Sequence, residues 1–193
     1  MKRISVFCGS SAGQRPEYAS AAREMGEALA RRGLGLVFGG GQVGLMGILA
    51  DACLAAGGDV IGVIPRGLAT KELAHPGLKD LRVVESMHDR KALMAELCDA
   101  FVALPGGFGT FEEFFEMLTW AQLGIHPKPC ALLNVAGYFD PLLALIEHSV
   151  EEGFVHAEHR RLLLHAPESN TLLDAIAQYK PPRIKRWIAP EKT

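Results

Sequence analysis

The chain has 193 residues, 49% of them hydrophobic, with 21 glycines and a formal net charge of -2. That length supports one well-buried domain rather than two, and the near-neutral balance, with no block of like charge, argues against a nucleic-acid-binding surface. The apolar run in MKRISVFCGSSAG is too short for a signal-peptide core or a membrane span, and Cys8, Cys53, Cys98 and Cys130 stand far apart without a CxxC pair, which fits buried thiols in a reducing cytoplasm rather than zinc ligands.

Strand and helix signals alternate along the chain. ISVFCGS reads as a first strand, and Glu17 to Arg32 as a helix with Tyr18, Ala22, Met25 and Leu29 at helical spacing, stopped by Gly33. LGLVFGGG is a second strand ending in glycines, followed by a helix from Leu45 to Ala56. DVIGVIP is a third strand and LRVVES a weaker fourth, with Pro65 to Lys79 the long loop between them. A helix over Asp89 to Leu97, the strand DAFVALPGG and a helix over Thr110 to Leu123 come next. The strand PCALLNV, a helix over Pro141 to Glu152, the short strand RLLLHAP and a helix over Asn170 to Tyr179 complete the series. The strands are continuous apolar runs, as in strands buried on both faces. Alternation with helices then predicts an α/β, Rossmann-like three-layer fold with a mainly parallel sheet flanked by helices.

In such folds ligands sit outside the carboxyl ends of the strands, where the strand order reverses. Three turns there are unusual: CGSSAG, GGGQVGLMG and PGGFGT. GGGQVG has the glycine spacing of a dinucleotide fingerprint at Gly39, Gly41 and Gly44, but the next strand ends IGVIPRG without the acidic residue that NAD-type sites use. Ser10, Gly40, Gly41 and Gly44 are therefore read as candidates for phosphate or sugar contacts, against the plainer reading that the glycines allow tight strand-helix packing. In PGGFGT, Gly106, Gly107 and Gly109 can expose amides, and Thr110 stands where a helix starts. No lysine follows, so the pattern is not that of a triphosphate loop.

Glu113 has two readings. Thr110-Phe111-Glu112-Glu113 fits a capping box, with Thr110 as N-cap and Glu113 at N3. On a helical wheel Phe111, Phe114, Phe115 and Leu118 share an expected core face, while Glu113, Glu116 and Trp120 share another that begins beside the glycine loop. That second placement suits a carboxylate working next to a bound anion. In SMHDRKALM, Arg90 and Lys91 near a helix start oppose the helix dipole. They read either as a solvated pair or as a clamp for an anionic ligand. His156 and His159 lack a third ligand, and neither a metal nor any other cofactor is expected.

PGGFGTFEE fits the pattern PGGxGTxxE, and SMHDRKALM supplies M-x-x-R-K. Together with VFCGSSAG and GGGQVGLMG, these stretches resemble the Lonely Guy (LOG) family, in particular its cytokinin riboside 5'-monophosphate phosphoribohydrolases. The resemblance runs from about Arg3 to Tyr179 and takes in TWAQLGIHPKP and LLNVAGYFD. It implies one Rossmann-like nucleotide-binding domain over residues 1–179 and a tail over 180–193. Relatives have often been labelled lysine decarboxylases, yet no residue here argues for a pyridoxal phosphate site.

The resemblance implies a homodimer that hydrolyses the N-glycosidic bond of a nucleoside 5'-monophosphate to free base and ribose 5-phosphate; composition and cysteine usage point to the cytoplasm, with no nucleic acid or membrane as partner. It places catalysis on Arg90 and Glu113. Substrate contacts fall on Glu72, Arg90, Lys91, Gly107, Phe108, Gly109, Thr110, Phe111, Glu112, Glu113 and Thr119. Glu113 would then stabilise an oxocarbenium-like charge or activate water. Arg90 would hold the ribose hydroxyls or the departing base. A general AMP nucleosidase, a nucleotide-binding module without turnover and an NAD(P) oxidoreductase are the rival readings, the last disfavoured by the missing acid.

Overall fold

The structure, a computed structural model, describes residues 1–69 and 74–182. Glu72 lies outside the described residues, as does the chain from position 183 onward. Seven strands form one parallel sheet: β1 (Arg3–Phe7), β2 (Gly35–Phe38), β3 (Val60–Pro65), β4 (Asp80–Val84), β5 (Ala100–Ala103), β6 (Cys130–Leu133) and β7 (Leu163–Ala166). The helices are α1 (Pro16–Arg31), α2 (Gly44–Ala55), α3 (Arg66–Ala69), α4 (Met87–Leu97), α5 (Phe108–Leu123), α6 (Asp140–Glu151), α7 (Ala157–Arg160) and α8 (Ser169–Gln178). The expected strand-helix order and parallel sheet are present. The long loop after β3 contains α3 and an isolated antiparallel bridge between Gly41 and Ala74, and a 3-10 turn over Val135–Gly137 joins β6 to α6. The four-residue helices α3 and α7 were missed because one turn carries too little periodicity to read.

Successive side chains on a strand point to opposite faces, and both faces are covered. Ile4, Val6, Leu36, Phe38 and Val102 pack with Met25, Leu29, Leu49 and Leu172 of α1, α2 and α8. Phe7, Val37, Ile61, Val63 and Phe101 pack with Met94, Phe114 and Met117 of α4 and α5. This accounts for strands that read as unbroken apolar runs.

Strand order is β4-β3-β2-β1-β5-β6-β7. The chain builds outward from β1 to β4, then crosses back to β5 and builds the other way. The reversal therefore lies between β1 and β5, whose carboxyl ends are tied by bonds from Leu104 N–H to Phe7 carbonyl (2.9 Å) and Gly9 N–H to Pro105 carbonyl (3.0 Å). The three glycine-bearing turns open on this edge.

Helices α1 and α2 meet at backbone distance. A Cβ on the buried Gly26 would stand 2.4 Å from the Leu49 carbonyl oxygen and 2.9 Å from the Cys53 nitrogen. Gly26→Val is expected to destabilise by about 1–3 kcal/mol or more through overpacking, lowering the thermal midpoint by roughly 2–4 °C per kcal/mol. A thermal unfolding curve checks this, and an unchanged midpoint would show that the two helices part freely.

Candidate active site

Two helix starts face each other across the crevice beside β1 and β5, and they are built differently. Helix α4 is closed by a capping box: the Ser86 hydroxyl accepts from Asp89 N–H (3.0 Å), and the Asp89 carboxylate accepts from Ser86 N–H (3.1 Å). This fixes where α4 begins, and so the direction in which Arg90, one turn on, projects. Helix α5 has no such closure. Its N-cap is Gly107, no side chain caps it, and its first turn carries no acidic residue. The first helical bond runs from Phe111 N–H to the Gly107 carbonyl (3.1 Å). The amides of Phe108, Gly109 and Thr110 thus come before any residue that can find an intrahelical acceptor.

This corrects two expectations. The Thr110–Glu113 capping box does not form, because α5 begins two residues earlier than the sequence suggested and Thr110 is already inside it. The core stripe of α5 is also rotated from the expected one: its buried residues are Thr110, Glu113, Phe114, Met117 and Ala121, while Phe111, Phe115 and Leu118 are only partly buried. Glu113 therefore lies on the inward face, which a phenylalanine-weighted wheel had assigned elsewhere.

The inward Glu113 meets Arg90. Oε1 of Glu113 is 3.2 Å from Nη2 of Arg90, and both side chains are about 10% exposed. Burial pushes the Glu113 carboxyl above its ordinary pKa, with Arg90 pulling it back and Glu112 adding to the rise. Arg90 has little else to hold. Nη1 lies 3.6 Å from Met87 Sδ, and the buried Nε has no hydrogen-bond partner among the described residues. A buried guanidinium with an idle donor is costly unless something else accepts from it.

These groups line a cavity of about 330 Å³, within the range of small-molecule sites, roughly 300–1,000 Å³. Of the residues expected to bind a ligand, Ser10, Gly41, Arg90, Gly107, Phe108, Gly109, Thr110 and Glu113 line it. Lys91, Phe111, Glu112, Thr119, Gly40 and Gly44 are not in that lining. Lys91 is buried with its ammonium against the Glu112 carboxylate and 2.8 Å from Glu116 Oε2. Burial disfavours its charge, but its pairing with those two carboxylates outweighs it and raises its pKa. Lys91 thus straps α4 to α5 beside the Arg90–Glu113 pair. Gly44 serves packing, since a Cβ there would lie 2.3 Å from the Ser10 carbonyl carbon.

Sequence reading missed the apolar part of the lining: Val43, Met46, Ile64, Leu68 and Met87. Single apolar residues at the ends of separate elements carry no local pattern. At the rim Phe108 is 92% and Met87 41% exposed. Cys8 also lines the cavity, and burial followed by the neighbouring Glu113 charge raises its pKa, so it stays a neutral thiol. The loop LLNVAGYFD contributes from outside the lining, with the Tyr138 hydroxyl donating to the Gly106 carbonyl and steadying the turn before α5. In TWAQLGIHPKP the work is structural: Gly124 ends α5 in a left-handed conformation, and Lys128 Nζ donates to the Ala95 carbonyl at the end of α4 (2.5 Å).

A family model described as "Possible lysine decarboxylase" matches residues 46–176. The chain is 51% identical over 188 residues to the probable cytokinin riboside 5'-monophosphate phosphoribohydrolase LOGL1 of Oryza sativa subsp. japonica, covering 97% of this chain and 83% of that protein. It is 48% identical over 180 residues to LOG of the same plant, covering 93% and 74%. The chain belongs to the LOG family. Among solved structures, the molybdenum cofactor carrier protein of Chlamydomonas reinhardtii superposes with a TM-score of 0.70 at 24% identity, covering 92% of this chain and 96% of that one. The molybdenum cofactor binding protein of Rippkaea orientalis gives 0.70 at 20% identity, over 91% and 95%. At such identities the likeness is one of fold.

The decarboxylase wording of the family model does not suit this LOG cavity. Pyridoxal phosphate is held through a lysine Schiff base. Among the described residues no lysine lines the cavity, and Lys91 beside it is engaged by two carboxylates. Among the described residues no group of three His, Cys, Asp or Glu is placed to hold a metal ion, and no helix is long and apolar enough to cross a membrane.

Proposed function

We infer that this LOG protein hydrolyses cytokinin riboside 5'-monophosphates, and AMP by the same chemistry, to free base and ribose 5-phosphate. The observation that carries this is the uncapped start of α5 standing beside the buried Arg90–Glu113 pair. The curated relatives are named for this reaction.

The 5'-phosphate sits on the free amides of Phe108, Gly109 and Thr110, where the helix dipole favours an anion. A Cβ on Gly107 or Gly109 would meet no atom of the described residues within 4 Å. Neither glycine is demanded by packing, and both leave the approach to those amides clear. With the phosphate there, the ribose lies over Arg90 and Glu113. As the bond from C1' to the base nitrogen breaks, positive charge develops on the ribose and negative charge on the base. The Glu113 carboxylate stabilises the first and takes a proton from the attacking water. Its raised pKa brings it closer to the pH at which it must accept that proton. Arg90 holds Glu113 through Nη2 and has Nε to offer to a ribose hydroxyl or the departing base. Water adds to C1', its proton passing to Glu113 and from there, directly or through solvent, to the departing base, which returns Glu113 to its carboxylate form.

The apolar rim of Leu68, Met87 and Phe108 fits an N6-alkyl group better than a bare amino group. Incubation with AMP and with N6-isopentenyladenosine monophosphate, followed by chromatography for free base, tests the reading. Release from both, faster from the alkylated nucleotide, is expected. Tight binding without any free base would instead favour a nucleotide-binding module.

The active unit in this reading is a homodimer in the cytoplasm, its four cysteines free and buried as in a reducing compartment. Thr119 is exposed on α5, six residues past Glu113 and turned away from the cavity. It touches substrate only if a second copy packs there, and the partly buried Phe111, Phe115 and Leu118 give that face an apolar character. Light scattering should give about twice the monomer mass of 20.8 kDa. Thr119→Arg should yield monomers with raised KM, and a fully active monomeric variant would remove Thr119 from the site.

A further inference from the structure

We propose that His75 is a positioning residue for Arg90, acting through the turn between β2 and α2. His75 lies outside the cavity, in the segment between α3 and β4, and is only 6% exposed. Its ring is held at both nitrogens. Nδ1 accepts from Gly77 N–H (3.1 Å), so the ring proton is on Nε2, which donates to Asp51 Oδ1 on α2 (3.0 Å). The ring also stands edge-on to Phe38 at the end of β2, with centroids 6.5 Å apart. So fixed, the residue gives its backbone N–H to the Gly40 carbonyl (2.8 Å), while its neighbour Ala74 bridges Gly41. One side of the Gly39–Gly41 turn is thus pinned by His75 and Ala74.

The other side of that turn is the wall against which Arg90 rests. A Cβ on Gly39 would come 2.1 Å from Arg90 Nη2 and 3.1 Å from its Cζ. The guanidinium therefore lies on bare backbone. Among the described residues its remaining polar contacts are Glu113 through the same Nη2 and Met87 Sδ at 3.6 Å, with none at Nε. A wall of glycine backbone has no side chain of its own to brace it, so its position depends on what holds it from behind. A shift of about 1 Å in such a group can lower the rate by around 10²-fold. The acceptor Asp51 is 75% exposed, and a hydrogen bond to so exposed a carboxylate contributes little to global stability. The contact is better placed to set geometry than to hold the fold together.

The test rests on the hydrolase reading and uses base release from AMP. His75→Phe keeps the ring against Phe38 and removes both nitrogen bonds. His75→Asn keeps an acceptor for Gly77 N–H in the manner of an Asx turn. Asp51→Asn keeps the acceptor for Nε2. For His75→Phe we expect kcat to fall about 10- to 100-fold, the range that a displacement near 1 Å allows, with KM within about threefold. His75→Asn should recover part of the loss and Asp51→Asn most of the wild-type rate. In an Arg90→Ala background, His75→Phe should lower kcat no further, because the group it positions is gone. The Arg90 Nε–H signal in a ¹H–¹⁵N spectrum should move in His75→Phe, whatever the activity. An unchanged kcat, a rise in KM alone, or a full further loss in the Arg90→Ala background would each overturn the proposal. If His75→Phe does not fold, the same criteria apply to His75→Asn against wild type. Absence of base release by the wild-type protein would overturn the hydrolase reading, while the Arg90 signal would still report on His75.

Discussion

Glu113→Gln should give a folded protein that binds nucleotide and turns over about 10²–10⁴ times more slowly, the usual effect of losing a general base. The amide can neither take a proton from water nor supply charge to an oxocarbenium ion. Its Oε1 can still accept from Arg90 Nη2, 3.2 Å away in the wild type, so the guanidinium keeps a partner and the fold survives. Glu113→Ala is the harsher change: it leaves a buried cation unpaired, typically at a cost of about 3–5 kcal/mol. Because α5 is capped at Gly107 and not through Thr110, neither substitution acts through a helix cap. Rapid-quench turnover and an unfolding curve on both variants check these points, and a Gln variant with most of its turnover would move catalysis away from this carboxylate.

The pH dependence of Glu113 has a definite sign. Burial raises its pKa in the folded protein, with Arg90 opposing. With the carboxylate as the proposed base, the rate is expected to fall as pH drops through that raised value, the acid limb beginning above the ordinary glutamate range. For stability, a raised folded pKa means that the protonated form is the better tolerated one. The contribution is present below the unfolded pKa and is lost as pH rises through the folded pKa.

Removing the 5'-phosphate should be as damaging. Hydrogen bonds to a charged group are worth roughly 1.5–3 kcal/mol each. Loss of those proposed at the amides of Phe108, Gly109 and Thr110 therefore implies adenosine poorer than AMP by about 10³-fold or more in kcat/KM, at 1.36 kcal/mol per tenfold. A complementary change acts on the protein. Gly109→Val meets no atom of the described residues at its Cβ, so it should fold normally while intruding on the phosphate, raising KM for AMP about tenfold or more and leaving the rate on adenosine nearly unchanged. Equal kcat/KM for adenosine and AMP in the wild-type protein would take the phosphate away from this loop.

The order of elements, the parallel sheet and the glycine turns on its carboxyl edge were legible in the sequence. Each rests on a local signal: apolar runs of strand length, helical spacing, and glycine where a strand gives way to a helix. The motifs PGGFGTFEE and SMHDRKALM also pointed to Arg90 and Glu113 before any geometry was known. Tertiary structure alone decided what those residues face. A glycine with no capping side chain can begin a helix as readily as a threonine can, and two residues' difference in that start turned a capping glutamate into a buried one. The core stripe of α5 followed the packing of Glu113 against Arg90, a contact between helices distant in sequence, rather than the phenylalanines that dominate a wheel. Lys91 looked like half of a basic clamp because sequence adjacency hides that residues one apart on a helix diverge by about 100°. It turned instead to Glu112 and Glu116. The apolar lining of the cavity and the brace from His75 to Gly40 join residues from separate elements, and only the folding of the sheet brings them together.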